Sequence, residues 1–71
     1  MHNEFTAIIE HDGDEFIAYC AEVPGANGQG HTREECIADL REAIALMLEY
    51  RREESLRSMP ADAKSELVAL G

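Results

Sequence analysis

Asn3-Glu4-Phe5-Thr6-Ala7-Ile8-Ile9-Glu10-His11-Asp12-Gly13-Asp14-Glu15-Phe16-Ile17-Ala18-Tyr19-Cys20-Ala21 is the stretch that decides the fold class. Two β-rich runs flank an Asp-Gly pair, which is a strong signal for a two-residue hairpin turn because the central residues of such a turn need positive φ. A turn centred on Asp12 and Gly13 sets Ile9 opposite Phe16, Ala7 opposite Ala18 and Phe5 opposite Cys20 on one face. On the other face Ile8 lies across from Ile17, and Thr6 across from Tyr19. A hairpin with one wet face would alternate cleanly between apolar and polar residues, and this one does not. One face is expected to pack on a helix; the other, with Ile8, Ile17 and Tyr19, is expected to be covered by another chain. The same register sets Glu10 opposite Glu15, an unfavourable like-charge pair that suggests a cation nearby.

Downstream, Glu22-Val23-Pro24-Gly25-Ala26-Asn27-Gly28-Gln29-Gly30-His31 reads as a loop. Pro24-Gly25 ends the second strand. A short third strand over residues 26–30 is admissible, although its composition argues poorly for it. A helix follows. Thr32 and Glu35 have the spacing of a capping box, and Glu34 with Glu35 suit the positive end of the helix dipole. Cys36, Ile37, Leu40, Ala43, Ile44, Met47, Leu48 and Tyr50 then recur at helical spacing. Glu35, Asp39, Glu42, Glu49 and Glu53 form an acidic ridge, while Arg51, Arg52 and Arg57 suit the negative helix end. Met59-Pro60 stops the helix. Residues 64–70 read as a fourth strand, with a short helix as the alternative, since Ala, Glu and Leu are good helix formers.

The whole chain, 1–71, reads as one domain. Its 71 residues hold 6 Lys and Arg against 15 Asp and Glu, a formal charge of −9. A chain of this size buries only ~60% of its unfolded surface, and its core rarely supplies more than ~3–5 kcal/mol. Two cysteines and three histidines are too few and too scattered for stapling, so association is the expected remedy. Hydrophobic residues at 45% and charged residues at 30% give a globular rather than a disordered composition. No apolar run approaches the ~20 residues of a membrane span, and Met1-His2-Asn3-Glu4 does not open like a signal or transit peptide. The chain therefore reads as cytoplasmic, with reduced thiols. So acidic a chain is a poor ligand for nucleic acid, and a charged partner should be basic.

Catalytic and metal chemistry find little support. Asp12 and Asp14 flank a turn glycine, where Asp serves turn geometry, and Asp-Gly-Asp lacks the further ligands of a calcium loop. Gly25, Gly28 and Gly30 precede a helix start, but Glu34 and Glu35 would repel a phosphate there. Cys20 and Cys36 read as small core hydrophobes. No catalytic residue, metal ligand or cofactor is expected.

The order and spacing of these segments resemble the HicB-like antitoxins over residues 4 to 50. The resemblance rests on Phe5-Thr6-Ala7-Ile8-Ile9-Glu10, Phe16-Ile17-Ala18-Tyr19-Cys20 and Glu22-Val23-Pro24-Gly25. It continues through Gly28-Gln29-Gly30-His31-Thr32, Glu34-Glu35 and Ala43-Ile44 into Leu48-Glu49. It implies an α+β fold: a small two-layer β-β-β-α-β domain with one long helix on an antiparallel sheet, of the degenerate ribonuclease H-like or double-stranded-RNA-binding-like kind. It also implies a partner, a small basic HicA-like ribonuclease that cleaves messenger RNA with a histidine which the antitoxin covers. Many family members add a DNA-binding segment. None is expected here after residue 60, so neither is direct nucleic acid binding.

The function expected is that of an antitoxin that occludes such a toxin. Toxin-binding candidates, chosen by charge, are Glu22 at the Pro-Gly loop, Glu10, Asp12 and Glu15 around the hairpin tip, and Glu35, Asp39 and Glu42 on the helix. The alternative is an orphan homo-oligomeric module of the same fold, with Ile8, Ile17 and Tyr19 at a symmetric interface. A small enzyme, using His31 or Cys20, is the weakest reading.

Overall fold

The computed structural model describes residues 4–70; Asn3, the expected first residue of the hairpin, lies outside them. Three strands, β1 (Ala7–Asp12), β2 (Glu15–Cys20) and β3 (Asn27–Gly30), precede one helix, α1 (Arg33–Arg57). The strands form an antiparallel sheet in the order β1-β2-β3. The helix lies across one sheet face, packing on β3 and β2 rather than on β1. The class is α+β, as expected.

The hairpin register differs from the sequence reading. Ala7 pairs with Cys20, Ile8 with Tyr19, Ile9 with Ala18, Glu10 with Ile17, His11 with Phe16 and Asp12 with Glu15. The turn residues are therefore Gly13 and Asp14, not Asp12 and Gly13. Gly13 sits at φ 64, and no residue other than glycine has positive φ among the described residues. A turn on Asp12-Gly13 would force Asp12 into the left-handed region, whereas glycine at the first central position satisfies the turn alone. The correction moves each partner by two residues and so leaves the faces unchanged. It does separate Glu10 from Glu15; the like-charge pair beside the turn is Asp12 with Glu15.

The third strand exists despite its composition, for a reason outside strand propensity. A Cβ on Gly28 would stand 2.5 Å from the Leu40 backbone nitrogen and 2.7 Å from the Cys36 carbonyl oxygen. Glycine is what lets the helix lie directly on β3. The core beneath is small: Ala18, Cys20, Val23 and Ala26 meet Cys36, Leu40 and Ile44, flanked by Ala7, Ile9, Phe16, Ala43 and Met47. Of the seven buried residues only Val23, Leu40 and Ile44 are sizeable aliphatics, each contributing about 1.5–3 kcal/mol by burial.

The capping box forms as expected. Thr32 Oγ1 accepts from the Glu35 amide at 3.1 Å, and the Glu35 carboxylate accepts from the Thr32 amide at 3.3 Å. The helix ends at Arg57 with Ser58 as its C-cap, directly before the Met59-Pro60 stop. It is about 37 Å long at 1.5 Å per residue, whereas a six-residue strand spans roughly 20 Å. Its second half therefore outruns the sheet. Arg51 still reaches back to the Pro24 carbonyl at 3.1 Å, but no residue beyond Met47 in the helix is buried. Tyr50, expected in the apolar stripe, is exposed. The fourth strand is absent: residues 64–70 form neither strand nor helix, and every residue from 60 to 70 is exposed.

Candidate functional site

Strand alternation puts Ile8, Glu10 and Asp12 of β1 on the same side as Glu15, Ile17 and Tyr19 of β2. This is the outer sheet face, opposite the one that carries Ala18, Cys20 and the helix. Ile8 and Ile17 are each 38% exposed and Tyr19 is 42% exposed. Two groups of residues that sequence reasoning treated separately are thus one surface: an apolar centre, with Glu10, Asp12 and Glu15 along its hairpin-tip side. No hydrogen bond or ion pair engages those three carboxylates among the described residues. Gln29 and Asn27 of β3 extend the face beyond Ile17 and Tyr19.

The remaining acidic candidates divide sharply. Glu22 is a structural clamp: its carboxylate accepts from the Thr6 amide and the Thr6 hydroxyl, each at 2.6 Å, and from the Cys20 thiol at 3.5 Å. The Thr6 hydroxyl, then the Thr6 amide, hold its carboxyl down to about 2. Glu35 belongs to the capping box and also accepts from the His31 amide at 2.9 Å. Asp39 accepts from the Gln29 amide at 3.0 Å. Asp39 thereby occupies a donor on the outer edge of β3, and Glu35 one just past the strand's end; a bare edge would otherwise invite another strand. Only Glu42, on the helix, joins Glu10, Asp12 and Glu15 as a carboxylate without an internal task. Sequence reasoning selected by charge and could not see that a carboxylate ten residues from Gln29 would cap its amide.

Neither cysteine is placed for chemistry. Cys20 and Cys36 are free and buried, and the Cys36 thiol donates to the Gly28 carbonyl at 3.6 Å. Burial, reinforced by the Asp39 charge, pushes the Cys36 thiol up. His11 stacks on Phe16 with ring centroids 4.2 Å apart. No group of three His, Cys, Asp or Glu residues among the described ones is placed to hold a metal ion. No helix among the described residues is long and apolar enough to cross a membrane.

Sequence reasoning missed one further feature. Phe5, just before β1, and Ala7, its first residue, face Ile37, Leu40, Arg41, Ile44, Ala45 and Leu48 of α1 across an open apolar groove of about 480 Å³. The helix stripe was legible, but not that its Ile37–Leu48 flank would overhang β1 rather than rest on it.

No family model matches the chain, and no solved structure matches it. A curated relative does. The chain is 46% identical over 72 residues to UPF0150 protein ssl0738 of Synechocystis sp., and the alignment takes in 99% of each chain. An identity of that size, spread over the whole of both chains, means that this protein belongs to the UPF0150 family.

Proposed function

We propose that the chain is a HicB-like antitoxin that binds and occludes a small basic ribonuclease of the HicA kind. UPF0150 is known as a HicB-like family, and the sheet-and-helix body is compatible with the first four elements of the β-β-β-α-β pattern. The observation that carries the proposal is the composite outer face. Ile8, Ile17 and Tyr19 offer apolar area, and Glu10, Asp12 and Glu15 stand beside them with no internal partner. On a chain of charge −9, such a face presents carboxylates where an RNA-binding enzyme would receive phosphates. Charge complementarity of this kind mainly speeds encounter and sets specificity. The apolar centre supplies the burial that holds the complex.

The same face restricts the homo-oligomeric alternative built on Ile8, Ile17 and Tyr19. A two-fold contact there that set the two hairpin tips side by side would oppose three carboxylates from each copy, which is destabilising without a cation between them, so only a contact with the tips at opposite ends would serve. In this reading the protein has no catalytic role, no cofactor and no nucleic-acid ligand of its own. It works by occlusion in the cytoplasm.

The test is to mix the purified chain with a small basic ribonuclease encoded beside it and follow RNA cleavage. Cleavage should stop at stoichiometric chain. The Glu10→Lys, Asp12→Lys, Glu15→Lys triple variant should lose inhibition at least tenfold while keeping its circular dichroism spectrum. Unchanged cleavage at excess wild-type chain, with no complex formed, sinks the proposal.

A further inference from the structure

We propose that Asn27 is a deamidation site, closed while α1 rests on β3 and opened when the helix lifts away. The proposal concerns the chemistry of β3 and does not depend on the antitoxin reading.

Asn27 is followed by Gly28, a successor with no side chain to obstruct ring closure. In this reaction the Gly28 amide nitrogen gives up its proton and attacks the side-chain carbonyl carbon of Asn27. The new C–N bond closes a cyclic succinimide, and the side-chain nitrogen takes up a proton and leaves as ammonia. Water then opens the ring at one of its two carbonyls. Cleavage at the former side-chain carbonyl leaves aspartate. Cleavage at the former backbone carbonyl leaves isoaspartate, whose main chain is one carbon longer. In either case an amide and a water become a carboxyl group and ammonia.

The fold keeps the reacting groups apart. The Asn27 side-chain nitrogen donates to the Gly25 carbonyl at 3.0 Å, which ties that side chain to the residue two places before it. Gly28 stands opposite Ala18. The Gln29 amide points outward to Asp39, so by alternation the Gly28 amide points inward to β2 and keeps its proton there. Attack requires that amide to swing out of the sheet, and α1 lies directly over it. The Leu40 nitrogen and the Cys36 carbonyl oxygen stand 2.5 and 2.7 Å from where a Gly28 Cβ would be. The Cys36 thiol also donates to the Gly28 carbonyl. Gly28 is thus buried beneath the helix, while Asn27 beside it is exposed to water. Rates depend steeply on near-attack geometry of this kind. Ring closure is slow compared with local opening and reclosing, so its rate in the folded chain follows the population in which β3 is uncovered.

The glycine that lets the helix lie on β3 is therefore the residue that makes Asn27 reactive once the helix leaves. The two products differ in consequence. Aspartate preserves the strand and sets a new carboxylate beside Tyr19 on the outer face. Isoaspartate displaces Gly28 from beneath Leu40, so the helix cannot reseat, and a transient opening becomes a lasting loss of packing.

Peptide mass spectrometry of the full chain, incubated in mildly alkaline buffer with and without denaturing urea, tests this. The readout is the mass gain of amide conversion to acid, which ignores Asp12-Gly13 because ring closure there leaves the final mass unchanged. In urea Asn27 should convert well ahead of Asn3, which precedes the bulkier Glu4. Without urea its rate should fall roughly tenfold or more. Asp39→Ala, at an exposed helix position, frees the Gln29 amide and should raise the rate without urea severalfold, with the helical circular dichroism signal retained. Equal rates with and without urea overturn the proposal, as does an Asn27 that stays intact in urea. So does an Asp39→Ala chain that keeps its helix yet reacts no faster than wild type. Should that variant lose its helix, the wild-type comparison still decides.

Discussion

Replacing Gly28 with alanine should cost far more than one added methyl group normally does. The new Cβ would lie 2.5 Å from the Leu40 nitrogen, 2.7 Å from the Cys36 carbonyl oxygen and 2.8 Å from the Leu40 Cα. All three are backbone atoms of a helix, so no rotamer change relieves them. Bringing the shortest contact to 3.4 Å, where ordinary van der Waals contact begins, requires α1 to lift by the difference, 0.9 Å. A radial gap of ~0.5–1 Å forfeits a quarter to a half of the dispersion attraction at each contact it opens, and the contacts here are those of Cys36 and Leu40. Overpacking of this kind costs about 1–3 kcal/mol, against a core that supplies only ~3–5 kcal/mol. At roughly 2 kcal/mol, and 4–8 °C per kcal/mol for a domain of this length, Tm should fall by about 8–16 °C. Thermal and urea melts followed by circular dichroism at 222 nm measure it. Gly13→Asn is the control: nothing lies within 4 Å of that position, and asparagine tolerates its positive φ. A Gly28→Ala chain that melts within about 3 °C of wild type, or no lower than the Gly13→Asn control, would refute the close-approach reasoning.

Three further outcomes follow from contacts already described. Thr32→Ala removes the hydroxyl that accepts from the Glu35 amide and should lower stability by about 1 kcal/mol, read as a shift in the urea midpoint. The Glu22 carboxyl is held down to about 2 from an ordinary 4.5, so its stabilisation is full above pH 4.5 and is lost as pH falls toward 2. The urea midpoints of wild type and Glu22→Gln should therefore differ at neutral pH and converge through that interval; a constant difference would contradict the clamp. Finally, both buried thiols should resist a thiol reagent in the folded chain and react promptly in denaturant, as absorbance at 412 nm would record.

The parts of this fold that were legible in the sequence are those where local chemistry and final structure ask for the same residue. Thr32 and Glu35 cap the helix whatever it packs on, and the hairpin faces follow from alternation alone. The register was not legible, because Asp12-Gly13 and Gly13-Asp14 both offer a turn and the choice depends on which residue must take positive φ. β3 was nearly invisible: its glycines are there for the helix above them, not for strand propensity. The acidic candidates show the same limit. Glu22, Glu35 and Asp39 are as acidic as Glu10 or Glu15, and only the fold reveals that they hold backbone amides. The tail was misread because an apolar run calls for a partner without saying whose.

The element order has a kinetic meaning. Each pairing joins chain neighbours: β1 to β2 through a two-residue turn, β2 to β3 through one short loop, and β3 to α1 across two residues. Loop-closure entropy is small at every step, and contacts between neighbours in the chain favour fast folding. Formation of the body is thus a first-order process with a time constant indifferent to dilution. Association with a partner chain would be second-order and would slow in proportion as the chain is diluted. A refolding experiment across a hundredfold range of concentration would resolve the two as separate phases.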